Sequence, residues 1–319
     1  LVNTDRVSFA GKTIYLAADI TVNTGDASSW KTTKATYDWI PIGSLTGTLD
    51  SGNNQRFDGI FDGDGHSISG LYFNRADQGL GLFGWTGADS VVKNLKLENT
   101  YFCATNSAAA SNQLGGAQIG AISGRSFGTI QNVYVTDSVY LDCYGYYCGG
   151  IAGYNPLGAN KTYSNCWFAG HIDMKTTGRA GGGIIGAVQS ATFTLKDCLF
   201  TGTITTANSA AGPQVGGLIG NVGAAVNLTD CLSSGSVTST GSQNTVGIVF
   251  GTTSAVAITL TDVYETDTYR YVIGNYGDNG TKTGSITSYE KDEIVGYAGY
   301  QKIANLGMYS HTNAQSNNS

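Results

Sequence analysis

The chain has 319 residues, of which 46 are glycine and 3 proline; glycine at about twice its ordinary share with so little proline excludes a collagen-like or proline-rich linker protein. Charged residues make up 13% and apolar residues 41%, the opposite of the balance that keeps chains disordered. A net charge of -6 leaves no basic stripe to neutralise phosphates, so no nucleic acid partner is expected. No run of about 18 apolar residues occurs, so no membrane span is expected either.

In chain order, Leu1 to Ala10 lack the charged and apolar regions of a signal peptide. Phe9 to Val22 alternate well enough for an opening coil. Within it, Gly11-Lys12-Thr13 ends like a phosphate-binding loop, but Arg6 stands where that loop needs its first glycine. Phe57 to Tyr72 set Asp-Gly turn signals between apolar residues and read as two strands. Asp62 to Gly65 begin like a calcium loop, yet Phe73 occupies the place of its closing Glu, so the segment reads as a turn.

From there one pattern returns. It runs as GLFG at Gly81–Gly84, GAISG at Gly120–Gly124, GGIAG at Gly149–Gly153, GGIIG at Gly182–Gly186, GGLIG at Gly216–Gly220 and VGIVFG at Val246–Gly251. After each copy comes an Asn or Asp: Asn94, Asn132, Asn165, Asp197, Asp230 and Asp262, in steps of 38, 33, 32, 33 and 32. Aligned on that residue, apolar columns fall two before it, one after it and seven after it, the last being Tyr101, Val139, Ile172, Ile204, Val237 and Tyr269. Inward side chains on a strand recur every second residue, so apolar positions that are even before the Asx and odd after it mark a corner. Gly170, Gly202 and Gly235, five positions after the Asx, and the later paired glycines read as two further corners, where glycine accepts positive φ. A three-stranded unit of this length buries its apolar face only by stacking on copies of itself. The expected fold is all-β: a right-handed parallel β-helix with three short strands per coil of about 33 residues and small capping elements at both ends. Residues 1–75 form the opening coils and cap, 76–265 the six repeats, and 266–319 a C-terminal cap with a polar tail, in one continuous solenoid. Ser288 to Gly307 are the best helix candidate in that cap.

These GLFG, GGIAG, GGIIG and GGLIG segments, each followed by an Asx-containing strand, resemble the GLUG repeat. Asp38–Gly43 (DWIPIG) and Phe57–Phe73 are similar to the segment that commonly precedes it, so the resemblance covers roughly residues 9 to 307. It implies a bacterial surface or secreted protein, as in adhesin-like proteins and the non-catalytic region of IgA-specific metalloproteases. It implies a scaffold or binding surface and brings no catalytic residue set.

Candidate chemistry is sparse. Cys166, Cys198 and Cys231 occupy the apolar column one after the Asx and read as small buried hydrophobes. Cys103, Cys143 and Cys148 lie outside it, which leaves Cys103 to Cys143 or Cys143 to Cys148 as candidate disulfides. The chain has three histidines and no CxxC, which argues against zinc. The stacked Asp197, Asp230 and Asp262 read as caps of their own corners in preference to calcium ligands, so no cofactor is expected. Gly124–Gly128 (GRSFG) spells a nucleophile elbow around Ser126 but lies between strands with no helix after it. A polysaccharide-cleaving β-helix would use paired carboxylates, with Asp58, Asp62 and Asp64, or Asp137 with Asp142, as candidates.

The better signal is aromatic. Two positions after the Asx come Lys96, Tyr134, Trp167, Leu199, Leu232 and Tyr264, expected to face outward, with Tyr140, Tyr144, Tyr146, Tyr147 and Tyr154 nearby. Tyr134, Tyr140, Tyr144, Tyr146, Tyr147, Trp167 and Tyr264 are therefore the candidate face for a glycan or a host or matrix protein. The expected function is a non-enzymatic extracellular scaffold or adhesion module, secreted or on the cell surface. A carbohydrate-active β-helix enzyme is the first alternative. The second is self-association into a filament through the open backbone edges at the ends of the rod.

Overall fold

The computed structural model describes residues 1–43, 55–107, 116–156, 158, 160–175, 179–189, 191–206, 213–239, 246–254 and 256–265, and the backbone of three further strands up to residue 288. It is a parallel β-solenoid: among the described residues every strand pair is parallel, and the strands fall into four sheets that run along the rod. In one coil the chain passes through Ala180–Gly182 in the first sheet, Ile185–Val188 in the second, Thr192–Lys196 and Leu199–Phe200 in the third, and Thr203–Thr206 in the fourth. The coil has one strand more than the repeat pattern indicates, because the GGxxG motif is itself a bend between two strands. Thr13–Tyr15 and Ile60–Asp62 join the third sheet ahead of the first full repeat.

The corner at the Asx residue is present in all six repeats. Asn94, Asn132, Asn165, Asp197, Asp230 and Asp262 have φ between 50° and 56°, the left-handed region that Asn and Asp enter more readily than other side chains with a Cβ. Crossing that residue reverses which side of the strand faces in. Val92, Leu95 and Leu97 are all buried on either side of Asn94. Leu95, Val133 and Cys166 are register partners in successive coils, and with Cys198 and Cys231 they are at most 3% exposed. The three thiols fill this row as expected. Each lies near two backbone carbonyls, Cys166 reaching Ser164 O at 3.4 Å and Ile130 O at 3.6 Å.

The amides at these corners form a ladder. Asn165 Nδ2 donates to Asn132 Oδ1 (2.7 Å), Asn132 Nδ2 to Asn94 Oδ1 (2.9 Å), and Asn94 Nδ2 to Asp62 Oδ1 (2.9 Å). Asp62 ends the ladder, accepts the Asp64 N–H (3.0 Å) and faces Lys93 at 3.1 Å. With Asp64 at φ 50° and Gly65 at φ 81°, Asp62 to Gly65 form the turn expected of them.

Two expectations change. The glycines at the bends of the repeats do not have positive φ; they are required because backbones meet there. A Cβ on Gly170 would lie 2.6 Å from Val139 O, and one on Gly153 would lie 2.7 Å from both Gly124 O and Ile119 N. The fourth-sheet column also shifts. Its inward row is Phe102, Leu141, Ile172, Ile204 and Val237, so Tyr101 falls off it, while Val139 is in the core as expected but pairs with Thr100, two residues before Leu141. The bend takes five residues from Leu97 to Phe102 and six from Val135 to Leu141, against four from Phe168 to Ile172. Tyr101 is thereby carried to the outer face. There it packs with Tyr72, Cys103 and Trp30 of the 3-10 helix Ala27–Lys31, an N-terminal element laid over the fourth sheet. Tyr269 and residues 289–307 of the helix candidate lie outside the described residues.

Gly153→Ala is expected to lower stability by about 1–3 kcal/mol or more, because both obstacles are backbone atoms that cannot swing aside; thermal denaturation measures it. Asp62 gives a pH dependence. Its burial pushes the carboxyl pKa up, but the Asp64 N–H, the Asn94 amide and the Lys93 ammonium outweigh this and hold it below 3.8. A depressed folded pKa contributes stability that is present above the unfolded value of about 3.9 and lost as pH falls through the folded one. The melting temperature of the native chain should therefore drop more steeply below about pH 4 than that of Asp62→Asn.

Candidate functional site

The aromatic residues expected to form one face are divided among three. On the outer side of the third sheet, Tyr134 and Trp167 are cross-strand partners whose rings stack at 4.4 Å, and Trp167 Nε1 donates to Thr201 Oγ1 at 2.7 Å. Both are half-buried, as is Tyr264 further along the same sheet. Leu199 and Leu232 share this outer row as register partners of Trp167 and Tyr264, but at 3% and 1% exposed they are covered there and offer no free surface. Tyr140 lies on the fourth sheet and stacks on His171 at 4.8 Å. Tyr146 and Tyr147 belong to the first-sheet side of the rod, and Tyr144, 38% exposed, precedes them.

The Tyr146 and Tyr147 group continues onto the second sheet. Tyr147 stacks on Tyr154 at 4.7 Å and meets Tyr146 edge-on at 4.6 Å, while Arg179 lies over the Tyr146 ring at 5.0 Å and donates to its hydroxyl. Tyr154 is the register partner of Arg125, and Arg125 that of Trp85. Arg125 is 2% exposed, with its guanidinium 5.2 Å from the Tyr154 ring and 5.4 Å from the Phe127 ring. Burial lowers its pKa to about 10. Nη1 reaches Gln118 Oε1 at only 3.4 Å, and neither Arg125 Nε nor Trp85 Nε1 has a hydrogen-bond partner. Reading the sequence from the Asx column misses this group. The residue directly after the closing glycine of each motif copy is Trp85, Arg125, Tyr154, Ala187, Asn221 and Thr252. That alignment exposes the column.

The outer side of the fourth sheet carries an ionic network. Asp142 and Asp173 are register partners. Lys31 Nζ lies 3.4 Å from Asp142 and 3.2 Å from Asp173, Lys175 pairs with both, and Tyr101 Oη donates to Asp142 at 3.0 Å. Burial alone would raise the Asp173 carboxyl, but Lys175 and Lys31 hold it below its ordinary value. Burial, reinforced by Asp142, pushes Tyr101 far up and Cys103 up to about 11. The other carboxylates considered do not join this network. Asp58 pairs with Arg56 at 2.9 Å, Asp62 ends the amide ladder and Asp64 sits in its turn, while Asp137 is exposed in the bend before the fourth sheet. Ser126 is fully buried and accepts a hydrogen bond from Thr86 Oγ1 at 3.3 Å, unlike the exposed serine of a nucleophile elbow.

No family model matches the chain, and no solved structure does. Two curated relatives match in part. A protein described as a Gly-rich membrane protein, from Evansella cellulosilytica, is 35% identical over 98 residues, 30% of this chain and 10% of the relative. Halomucin of Haloquadratum walsbyi is 32% identical over 137 residues, 42% of this chain and 1% of the relative. The chain thus matches a small fraction of the length of either. Among the described residues no helix is long and apolar enough to cross a membrane, and no group of three or more His, Cys, Asp or Glu could hold a metal ion.

All six cysteines are buried, free thiols. Register rules out Cys103 to Cys143. Cys103 pairs with Asp142 and packs in the outer cluster, whereas Cys143, one residue on, points into the core, and neighbours along a strand face opposite sides. Cys148 is also in the core, close enough to Cys143 for a thiol-thiol hydrogen bond that, after burial, raises the Cys148 pKa well above its usual value. Under an oxidising glutathione couple, non-reducing peptide mapping should find Cys143 joined to Cys148 and Cys103 unbridged; a Cys103–Cys143 peptide would contradict the register.

Proposed function

We propose that this chain is a non-enzymatic extracellular scaffold or adhesion module of a secreted or cell-surface protein, a GLUG-type β-helix that presents aromatic side chains to a glycan or to a host or matrix protein. The observation that carries the reading is the Tyr134–Trp167 stack, two large rings held half-exposed on adjacent coils. Coils about 4.8 Å apart fix the spacing of such rings before a partner arrives, so little conformational freedom is lost on binding. The two partial relatives, described as a Gly-rich membrane protein and as halomucin, support a surface location.

Asp142 beside Asp173 is the observation that favours the glycan-cleaving alternative. That chemistry needs one carboxyl to remain a proton donor, whereas Lys175 and Lys31 favour the ionised form of Asp173. For self-association, the terminal strand Thr13–Tyr15 and the exposed Tyr15 and Ile20 are the features in favour.

A screen of immobilised glycans and matrix proteins tests the reading. The expected result is saturable binding that the Tyr134→Ala/Trp167→Ala double variant weakens by about tenfold or more with its melting temperature little changed. Release of reducing ends from a polysaccharide, abolished in Asp142→Asn, would replace the scaffold by an enzyme.

A further inference from the structure

We propose that the Trp85–Arg125–Tyr154 column is an oxyanion subsite that binds the carboxylate or sulfate of an acidic sugar; the inference rests on the reading of this chain as a glycan-binding module and names the class of glycan. Three observations converge on it. Arg125 and Trp85 are 2% and 7% exposed, and each keeps one N–H with no acceptor, on adjacent rungs of one sheet. A buried donor left unmade is costly, and a guanidinium without a counter-charge more so. The surroundings do not offset that charge with an anion. Among the described residues, the strands of the first and second sheets contain no Asp or Glu, in a chain whose net charge is -6. The polar and cationic groups on this side include Arg125, Arg179 and Gln118, set among Trp85, Phe127, Tyr146, Tyr147 and Tyr154.

This combination suits an acidic sugar. A carboxylate or sulfate accepts charge-assisted hydrogen bonds from a guanidinium and has a free lone pair for an indole N–H. The apolar face of a pyranose lies well against tyrosine rings. A single buried guanidinium suits a single oxyanion, whereas a nucleic acid strand would call for a row of cations. Phe127 and Tyr146, both half-buried, and Arg179, exposed, form the rim. A ligand seated on that rim reaches Arg125 Nε once the Phe127 ring swings aside.

Isothermal titration of the full chain with galacturonate oligomers, sulfated dextran and neutral dextran tests the proposal. One of the two acidic probes should bind at least about tenfold more tightly than neutral dextran. Carboxylate and sulfate sources are separated by which probe that is. Arg125→Gln should remove this preference without lowering the melting temperature, since the cation it deletes has no buried counter-charge. Trp85→Phe, which keeps a ring and loses only the N–H, should weaken the acidic probe by several-fold and stands in if Arg125→Gln does not fold. Equal binding of acidic and neutral probes, no binding of either acidic probe, or acidic binding untouched in both variants would overturn the subsite. Equal binding of acidic and neutral probes that is lost in Tyr134→Ala/Trp167→Ala but kept in Arg125→Gln would leave the module reading intact while removing the oxyanion subsite. If no probe binds and the wider screen is blank as well, both readings fall.

Discussion

Stacking at a fixed rise obliges each coil to bend where the coil before it bent, and the left-handed corner at the Asx residue is where this obligation is most visible. Six residues share one backbone conformation there, and each reverses the inward side of its strand. Without that reversal the residues after the corner would turn their apolar side to solvent, since a change of one residue in phase exchanges the two faces. The inward rows of Leu95, Val133 and the three cysteines therefore depend on a conformation that few residue types accept.

Register also sets like upon like. Phe73 stacks on Phe102 at 4.0 Å in the core, and Tyr134 on Trp167 outside it. The same rule crowds backbones at the bends, which accounts for glycine there better than dihedral freedom does. It also stacks charges: Asp142 over Asp173 is tolerated because Lys31 and Lys175 lie between them. Lys31 comes from the N-terminal 3-10 helix, so this network fastens a peripheral segment to two coils at once.

Much of this was legible in the residues. The Asx column, the phase change and the burial of Cys166, Cys198 and Cys231 follow from spacing alone, because a corner leaves a periodic trace in one dimension. The bend before the fourth sheet does not: its length varies by one or two residues, so counting from Asn94 selected Tyr101 where Phe102 points inward. Spacing likewise leaves a Cys103 to Cys143 bridge open, because proximity in neighbouring coils says nothing about the side of the strand. The aromatic face was recognised by composition but could not be located, because Tyr134, Tyr140 and Tyr147 belong to three different sheets. Arg125 carries no signal in the Asx alignment, and the GRSFG string around it spells a motif centred on Ser126; only register sets Arg125 between Trp85 and Tyr154.

The amide ladder has a direction. Each Asn passes its N–H toward the N-terminal end and shows its carbonyl to the next coil, so the side-chain dipoles add along the axis much as peptide dipoles do in a helix. The positive pole of this column meets the Asp62 carboxylate, the sign of charge that suits it. Its negative pole looks toward Asp197, where the amides stop and acids take over, with Lys196 4.0 Å from the first of them. The rod is thus electrically polar along one edge, and a coil transplanted from one half to the other would bring a donor where an acceptor is wanted, or the reverse.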